Sequence, residues 1–287
     1  MINFHKVKFS CYALGRIVGL DANEKLSKAE FVLLEKLLKK DILTEEEVEM
    51  IRILSSQKEV AEGTLSKTCK TYLREEVFIY HTYGRRIRPG GEALTESVTR
   101  IMKGSLAEDS AIRILSELDG INYHKNKRKF KNKWVSGIPD INHKKRLGDR
   151  KVIDIKASWD IYTFMNNLTK SLSKAYQYQT QGYISLTKAD VGEVCFILVS
   201  APEELIEKQV AKLKYKNVFA SQEEYEEAAS LTRMSMIFDD IPMEKRILRF
   251  PVLPNIDEQK MLFDRVDLCR EWLSEYQRNH EIYFKND

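Results

Sequence analysis

The sequence has few of the residues that mark non-globular chains. Only 12 of its 287 residues are Gly and 6 are Pro, too few for a collagen-like, linker-rich or low-complexity chain. The longest apolar run, around Val194 to Ala201, has about eight residues, whereas a membrane-spanning helix needs about 20. Apolar residues make up 43% of the chain and charged residues 31%, which is typical of a soluble globular protein. We therefore expect an ordered chain with a substantial core and no membrane partner.

Cysteine is also scarce, and the sequence shows no paired cysteines, no nucleotide-binding GxxxxGK[ST] pattern and no secretory signal pattern. The four cysteines are Cys11, Cys69, Cys195 and Cys269, and they form no CxxC pair. Their scatter favours reduced, mostly buried thiols over a disulfide framework or a zinc ribbon. The pattern GxxxxGK[ST] is absent, so no helicase or ATPase activity and no nucleotide cofactor is expected. Because the first ten residues do not lead into a secretory signal, the expected compartment is the cytoplasm.

Positive charge is weak overall but strong locally. The formal net charge is +4, yet residues 121–151 hold eleven Lys and Arg against two Asp. A local excess of this size favours a phosphate-binding surface, with a solvated basic segment that has no partner as the alternative. The candidate contacts in and near this segment are Lys125, Lys127, Arg128, Lys129, Lys131, Lys133, Lys144, Lys145 and Arg146, together with Arg85, Arg86 and Arg88.

The periodicity of apolar residues changes along the chain. Helical spacing dominates first and predicts helices over 27–40, 44–53, 67–80, 92–102 and 105–118. Later segments predict strands over 123–130, 134–138, 151–157, 193–200 and 246–252, with helices over 174–186, 202–213, 223–236 and 256–279. This pattern predicts a helical N-terminal accessory region over 1–100 and a mixed α/β region over 101–287 that ends in a long helix.

Two carboxylates and a lysine form the main chemical constellation. They occur as Pro139-Asp140 and, after thirteen intervening residues, as Asp154-Ile155-Lys156. Strand alternation places Asp154 and Lys156 on one face, where burial is costly unless the charges are paired or bind a metal. With Glu108 from a preceding helix, these oxygens suit Mg²⁺ or Mn²⁺, and Lys156 can orient or deprotonate a water that attacks a phosphodiester. The alternative is a structural ion pair with Asp140 capping a turn.

A second pattern lies on the helix predicted over 174–186. Gln179 and Tyr183 are four residues apart and share a face, with Tyr176 one turn earlier. An ordinary core or surface stripe is the alternative reading.

These residues, in this order, resemble the PD-(D/E)xK nuclease superfamily. Within it they look like the RecB-like branch that contains YqaJ-type phage recombinases and lambda exonuclease, over residues 103–201. The resemblance implies an α/β fold with a restriction-endonuclease-like core: a central mixed β-sheet flanked by helices, here with a helical N-terminal region and a long C-terminal helix. One departure is Asp154, which stands where many relatives have Glu.

The resemblance also implies roles for individual residues. Glu108, Asp140, Asp154 and the backbone carbonyl of Ile155 would bind the metal, Lys156 would serve the attacking water, and Gln179 and Tyr183 would support the site. Some members of the branch carry an iron–sulfur cluster, but Cys195 lies in a predicted core strand, so none is expected here.

The implied activity is a Mg²⁺- or Mn²⁺-dependent DNA exonuclease of phage-type recombination or DNA processing. It would act on linear duplex ends in a bacterial or phage-infected cytoplasm, with a single-strand annealing protein and a second copy of the chain as candidate partners. Two alternatives stay open: a structure- or sequence-specific endonuclease, and a DNA-binding or assembly module that has lost catalysis.

Overall fold

The computed structural model describes residues 2–18, 28–40, 43–51, 54, 65–85, 107–144, 149–158, 160–214, 219 and 221–280. The strands are β1 (Phe9–Ser10), β2 (Phe130–Lys131), β3 (Val135–Gly137), β4 (Ile141–Lys144), β5 (Arg150–Ser158), β6 (Val191–Leu198) and β7 (Ile247–Val252). The helices are α1 (Leu14–Val18), α2 (Lys28–Leu38), α3 (45–51), α4 (Lys67–Tyr72, Leu73–Phe78 and Ile79–Tyr83, the middle part π-helical), α5 (107–119), α6 (Ile161–Leu168), α7 (Lys174–Thr187), α8 (Glu203–Lys214), α9 (Gln222–Met234) and α10 (Ile256–Asn279).

Four strands form the main sheet, in the order β4-β5-β6-β7. The β5–β6 pair is parallel, and the two outer pairs are antiparallel. A smaller sheet has the order β1-β3-β2. The expected central mixed sheet flanked by helices and the long C-terminal helix are therefore confirmed.

The two faces of the main sheet pack against different helices. Ile153 and Ile155 of β5 belong to a buried cluster with Ala111 and Leu115 of α5. On the opposite face, Val152 belongs to a second and larger cluster that contains residues of α7 and α10. This alternation is what period-2 strand geometry dictates, and it puts Asp154 and Lys156 on the α7 face.

Helix α10 holds residues 2–18 against this larger cluster through hydrogen bonds from two of its arginines. Arg270 of α10 is 2% exposed and donates to the carbonyls of Val7, at 2.7 Å, and Lys133, at 2.7 Å. Arg265 donates to the carbonyl of Ile17 at 2.9 Å. Residues 2–18 thus share a core with α7 and β6, while the domain boundary near residue 100 stays a prediction.

The segment expected as a strand over 123–130 is mostly irregular. The Asn126 side chain donates to the carbonyls of Arg128 and Pro139, at 3.0 and 2.9 Å, and holds the chain out of a regular ladder. Only its last residue, Phe130, enters a strand, β2. The helix expected near 92–102 lies outside the described residues.

The cysteines match the expectation from their scatter, since all four side chains are buried. No helix in the described part of the chain is both long and apolar enough to cross a membrane.

Candidate active site

Asp140 and Asp154 are neighbours at one end of the β4–β5 ladder. The ladder ends at the pair Ile141–Ile153, so the two carboxyls belong to the next residue along each strand, with Asp140 in the bend just before β4. The two side chains are close enough for the charge of Asp154 to act on Asp140. Asp140 is fixed there because its Oδ2 accepts a hydrogen bond of 2.6 Å from the backbone N–H of Ile155.

Asp154 is 3% exposed, and its two oxygens have different neighbours. Oδ1 accepts a hydrogen bond from Gln179 Nε2 at 3.1 Å. Oδ2 lies 2.6 Å from Lys156 Nζ and, apart from that ion pair, has no hydrogen-bond partner among the described residues. The Lys156 ammonium offsets part of the cost of burying this charge, and the oxygen keeps a lone pair that a metal cation could use.

The electrostatics of the two carboxyls also favour a cation. Burial raises the pKa of Asp140, and the negative charges of Asp154 and, more weakly, Glu108 raise it further, against the Ile155 N–H and Lys156. Burial raises the pKa of Asp154 as well, although Lys156 opposes the shift. A divalent cation beside the two carboxyls would lower the free-energy cost of ionising both of them.

Lys156 is charged in this arrangement. Burial alone would lower the pKa of its ammonium, but the contact with Asp154 outweighs burial and raises that pKa above its ordinary value. The ammonium is therefore a hydrogen-bond donor and a fixed positive charge beside the carboxylates.

Glu108, near the start of α5, lies at the margin of the site. Its carboxylate forms an ion pair of 2.8 Å with Lys125, yet its charge still reaches Asp140. Within the described ranges, no three His, Cys, Asp or Glu side chains are grouped closely enough to hold a metal. The structure thus brings Asp140, Asp154 and Lys156 together, while metal binding by Glu108 and by the Ile155 carbonyl stays a prediction.

Helix α7 supplies the neutral part of the site. Gln179 Nε2 donates to Tyr183 OH at 3.1 Å as well as to Asp154, so one amide joins both side chains. Both residues are buried, and burial together with the charge of Asp154 raises the pKa of the Tyr183 phenol. Tyr183 therefore stays a neutral phenol beside the carboxylates.

Gly137 is a site residue to which the sequence pattern gives no role. A Cβ at this position would lie 2.6 Å from Tyr183 Cε1 and 3.0 Å from Cys11 Sγ. Only glycine lets β3 approach the Tyr183 ring this closely. Its place just before Ile138-Pro139-Asp140 is the signal that could have identified it.

The expected phosphate contacts have three different environments. Lys125 is paired with Glu108. The exposed group comprises Lys127, Arg128, Lys129, Lys131, Lys133, Lys144 and Arg85. The third group, Lys145, Arg146, Arg86 and Arg88, lies outside the described residues. In the exposed group, Arg128 and Lys133 stack on Phe130 and Trp134, 5.1 and 5.0 Å from the ring centroids, which adds aromatic surface to the positive charge.

Two exonucleases of solved structure are similar in fold to this chain. A phage-related exonuclease from Haemophilus somnus matches with a TM-score of 0.63 and 21% identity, over 96% of this chain and 96% of that chain. An alkaline exonuclease from Laribacter hongkongensis, LHK-Exo, matches with a TM-score of 0.52 and 10% identity, over 99% of this chain and 96% of that chain. Its complex with dAMP gives the same TM-score and identity, over 98% of this chain and 96% of that chain.

The sequence comparisons add no family. No protein-family model matches the sequence, and no curated protein is similar to it in sequence. At such low identity the structural likeness shows the fold, and this is the fold that the PD-(D/E)xK resemblance implies.

Proposed function

We propose that the protein is a divalent-metal-dependent DNA exonuclease that hydrolyses phosphodiester bonds at the ends of linear duplexes. The observation that carries the proposal is the convergence of Asp140, Asp154, Lys156 and Gln179 on one face of β5, in a fold shared with solved exonucleases. A purely structural ion pair would need only Asp154 and Lys156. The neighbouring carboxylate of Asp140 accepts the Ile155 N–H but adds like-charge repulsion, which a structural ion pair would not need.

The residues fit Mg²⁺ or Mn²⁺. All the donors are hard oxygens, and the buried Asp154 Oδ2 has no partner among the described residues beyond its ion pair with Lys156. Asp140 and Asp154 would hold the ion, with Glu108 and the Ile155 carbonyl as the further ligands that the resemblance implies. A bound ion would neutralise charge on the phosphate and lower the pKa of a water.

The side chains of the chain itself divide the remaining work. The Lys156 ammonium donates hydrogen bonds to the attacking water or to a phosphate oxygen and balances the negative charge that develops there. Gln179 fixes the orientation of the Asp154 carboxylate and of the Tyr183 phenol. Neither amide nor phenol changes charge near neutral pH, so both keep the geometry constant through turnover.

The exposed basic residues around β2 and β3 would follow the DNA backbone. Such contacts supply affinity without sequence preference, which suits an enzyme that works along a strand. The LHK-Exo complex with dAMP is consistent with a nucleotide product for this fold. We infer a role in phage-type recombination or DNA processing in the cytoplasm, with a single-strand annealing protein and a second copy of the chain as candidate partners.

One gel experiment tests the proposal. End-labelled linear duplex, covalently closed circle and single strand are each incubated with Mg²⁺, Mn²⁺ or chelator. We expect degradation of the linear duplex with either metal, an intact circle, and no reaction in chelator. Cleavage of the circle would instead support the endonuclease alternative, and inertness towards every substrate would support the binding module.

A further inference from the structure

Lys156 has a second neighbour that the proposed mechanism does not use. Its Nζ lies 4.8 Å from the centroid of the Tyr176 ring, over the face of that ring. The other neighbour is Asp154 Oδ2 at 2.6 Å. The ammonium is therefore held between a carboxylate and an aromatic face.

The Tyr176 ring is itself held in place. It packs edge-on against Phe196 of β6, with ring centroids 5.8 Å apart, and Phe196 packs in the same way against Phe250 of β7 at 5.7 Å. The backbone N–H of Tyr176 donates to Ser173 Oγ, which caps α7. The ring thus rests on the main sheet through two further aromatic residues.

Tyr176, Gln179 and Tyr183 follow helical spacing and face the same side of α7. One helix face therefore orients both partners of the central ion pair, with Gln179 on Asp154 and Tyr176 on Lys156. An ammonium on a flexible four-carbon stem has no fixed direction of its own, so an attractive surface on the side away from Asp154 restricts where it points.

We propose that Tyr176 is a positioning residue for Lys156: its ring holds the ammonium where it can meet the attacking water, and so sets the rate of hydrolysis. This inference rests on the proposed nuclease function. It assigns to Tyr176 no contact with the substrate.

A competing role for Tyr176 would be to stack on a nucleobase. The residue also borders an open groove of about 730 Å³ that Tyr12, Arg16 and Tyr72 line as well. The two roles differ in how they respond to ring electronics. Fluorine withdraws electron density from the ring face, which weakens the attraction for a cation but does not weaken stacking on a base.

The test is a fluorination series measured in the full-length protein. Position 176 receives Phe and then phenylalanines with one, two and three ring fluorines, and kcat and KM are measured on linear duplex with Mg²⁺. The matched control is the same series at Tyr178, whose ring lies 5.9 Å from Nζ of Lys174, a lysine outside the site. Thermal unfolding of every variant checks that the fold is kept.

Tyr176→Phe keeps the ring face and is the reference for the series. Each added fluorine should lower kcat, to about tenfold below Tyr176→Phe for three fluorines, with little change in KM. The series at position 178 should be flat. A kcat that ignores fluorination at position 176, or an effect confined to KM, would overturn the positioning role.

A second measurement is independent of catalysis. In the NMR spectrum of wild type, the ε-methylene protons of Lys156 should be shifted upfield by the Tyr176 ring, and Tyr176→Leu should remove that shift. An unshifted signal in wild type would refute the contact itself. A protein that shows the shift but cleaves no DNA would instead contradict the nuclease proposal, so the two failures are distinguishable.

Discussion

Asp154 contacts the charged Lys156 and the neutral Gln179. Replacing Asp154 by Asn separates the two contacts. Asn has the shape of Asp and still accepts the Gln179 hydrogen bond through its carbonyl oxygen, but it lacks the negative charge. Because burial raises the pKa of Asp154, the ionised carboxylate is held against a desolvation cost in the metal-free protein.

We therefore predict that Asp154→Asn abolishes Mg²⁺-dependent cleavage and lowers thermal stability in chelator only slightly, because loss of the ion pair with Lys156 is offset by loss of the carboxylate's desolvation cost. Activity on linear duplex and the melting temperature, both compared with wild type, measure the two effects. A variant that unfolds at a much lower temperature in chelator would show that Asp154 is chiefly a structural partner of Lys156.

The ammonium of Lys156 gives a second prediction at this scale. Lys156→Ala should keep DNA binding in Ca²⁺ but lose cleavage by roughly 10²–10⁴-fold, the range for a group that positions or transfers a proton in the transition state. Lys156→Arg should not restore the rate, because the planar guanidinium keeps the charge but not the geometry. If Lys156→Arg turns over at a rate near wild type, Lys156 serves only to neutralise the neighbouring carboxylates.

At the scale of elements, helix α7 packs closely against strand β6 at Gly192. A Cβ at Gly192 of β6 would lie 2.4 Å from Thr180 Cγ2 and 2.9 Å from Ile184 Cδ1. Thr180 is 1% exposed, so its methyl group has little room to move. The distance between α7 and β6 therefore depends on this residue.

We predict that Gly192→Ala destabilises the protein by about 1–3 kcal/mol, the usual cost of overpacking a core, and lowers kcat by displacing Gln179 from Asp154. Denaturant unfolding and linear-duplex kinetics measure the two effects. Adding Thr180→Ser should restore part of both, since it removes the obstructing methyl group while keeping the hydroxyl that donates to the Tyr176 carbonyl at 2.9 Å. If the effects of the two substitutions on unfolding free energy and kcat simply add in the double variant, the steric explanation is wrong.

A different element contact fixes α5 to the sheet. Arg249 of β7 bridges Asp119, at the end of α5, and Glu193 of β6, at 2.6 and 3.1 Å. Burial raises the pKa of Asp119, but hydrogen bonds from Arg249 and Tyr123 outweigh it and leave that pKa below its ordinary value.

Because the folded state lowers the pKa of Asp119, its contribution to stability is present above the unfolded pKa and is lost as pH falls. We predict that Asp119→Asn is less stable than wild type at pH 7 and that the difference shrinks on acidification through the folded pKa. Urea unfolding at a series of pH values from 7 to 3 measures the difference. A gap that stays constant with pH would show that the Asp119 charge contributes nothing.

At the scale of the whole molecule, the positive charge of residues 121–151 is the expected path of the DNA. We predict that affinity in Ca²⁺ falls steeply with salt, and that replacing Lys127, Arg128 and Lys129 by Gln flattens this slope, because fewer counterions are released on binding. The control replaces Lys208 and Lys212 of α8, which packs against α9. If the salt dependence of DNA affinity has the same slope in the triple variant as in the α8 control variant, this placement of the DNA is wrong.

Much of this molecule could be predicted from local pattern. Helix α10 and strand β5 have strong, continuous periodicities, and the alternation in β5 is sufficient to put Asp154 and Lys156 together. Helical spacing singles out Gln179 and Tyr183, and the resemblance adds their place in the site. In the structure the Gln179 amide donates to both Asp154 and Tyr183.

The rest depends on contacts between distant parts of the chain. Strand β4 has four residues in the described part of the chain, and its pairing with β5 brings Asp140, just before β4, next to Asp154. The close approach of Gly137 to Tyr183 and the placement of Tyr176 under Lys156 arise only when α7 docks on the sheet. No local periodicity encodes such distances, since they are set by the packing of separate elements.

The central claim, hydrolysis from DNA ends at the Asp140–Asp154 site, is tested most directly by nucleotide release. Linear duplex and closed circle carrying different radiolabels are mixed in one tube with Mg²⁺, and acid-soluble label is followed for wild type and for Asp154→Asn. We predict progressive release from the linear DNA alone by wild type, and none by the variant. Release from the circle, or undiminished release by Asp154→Asn, would contradict the claim.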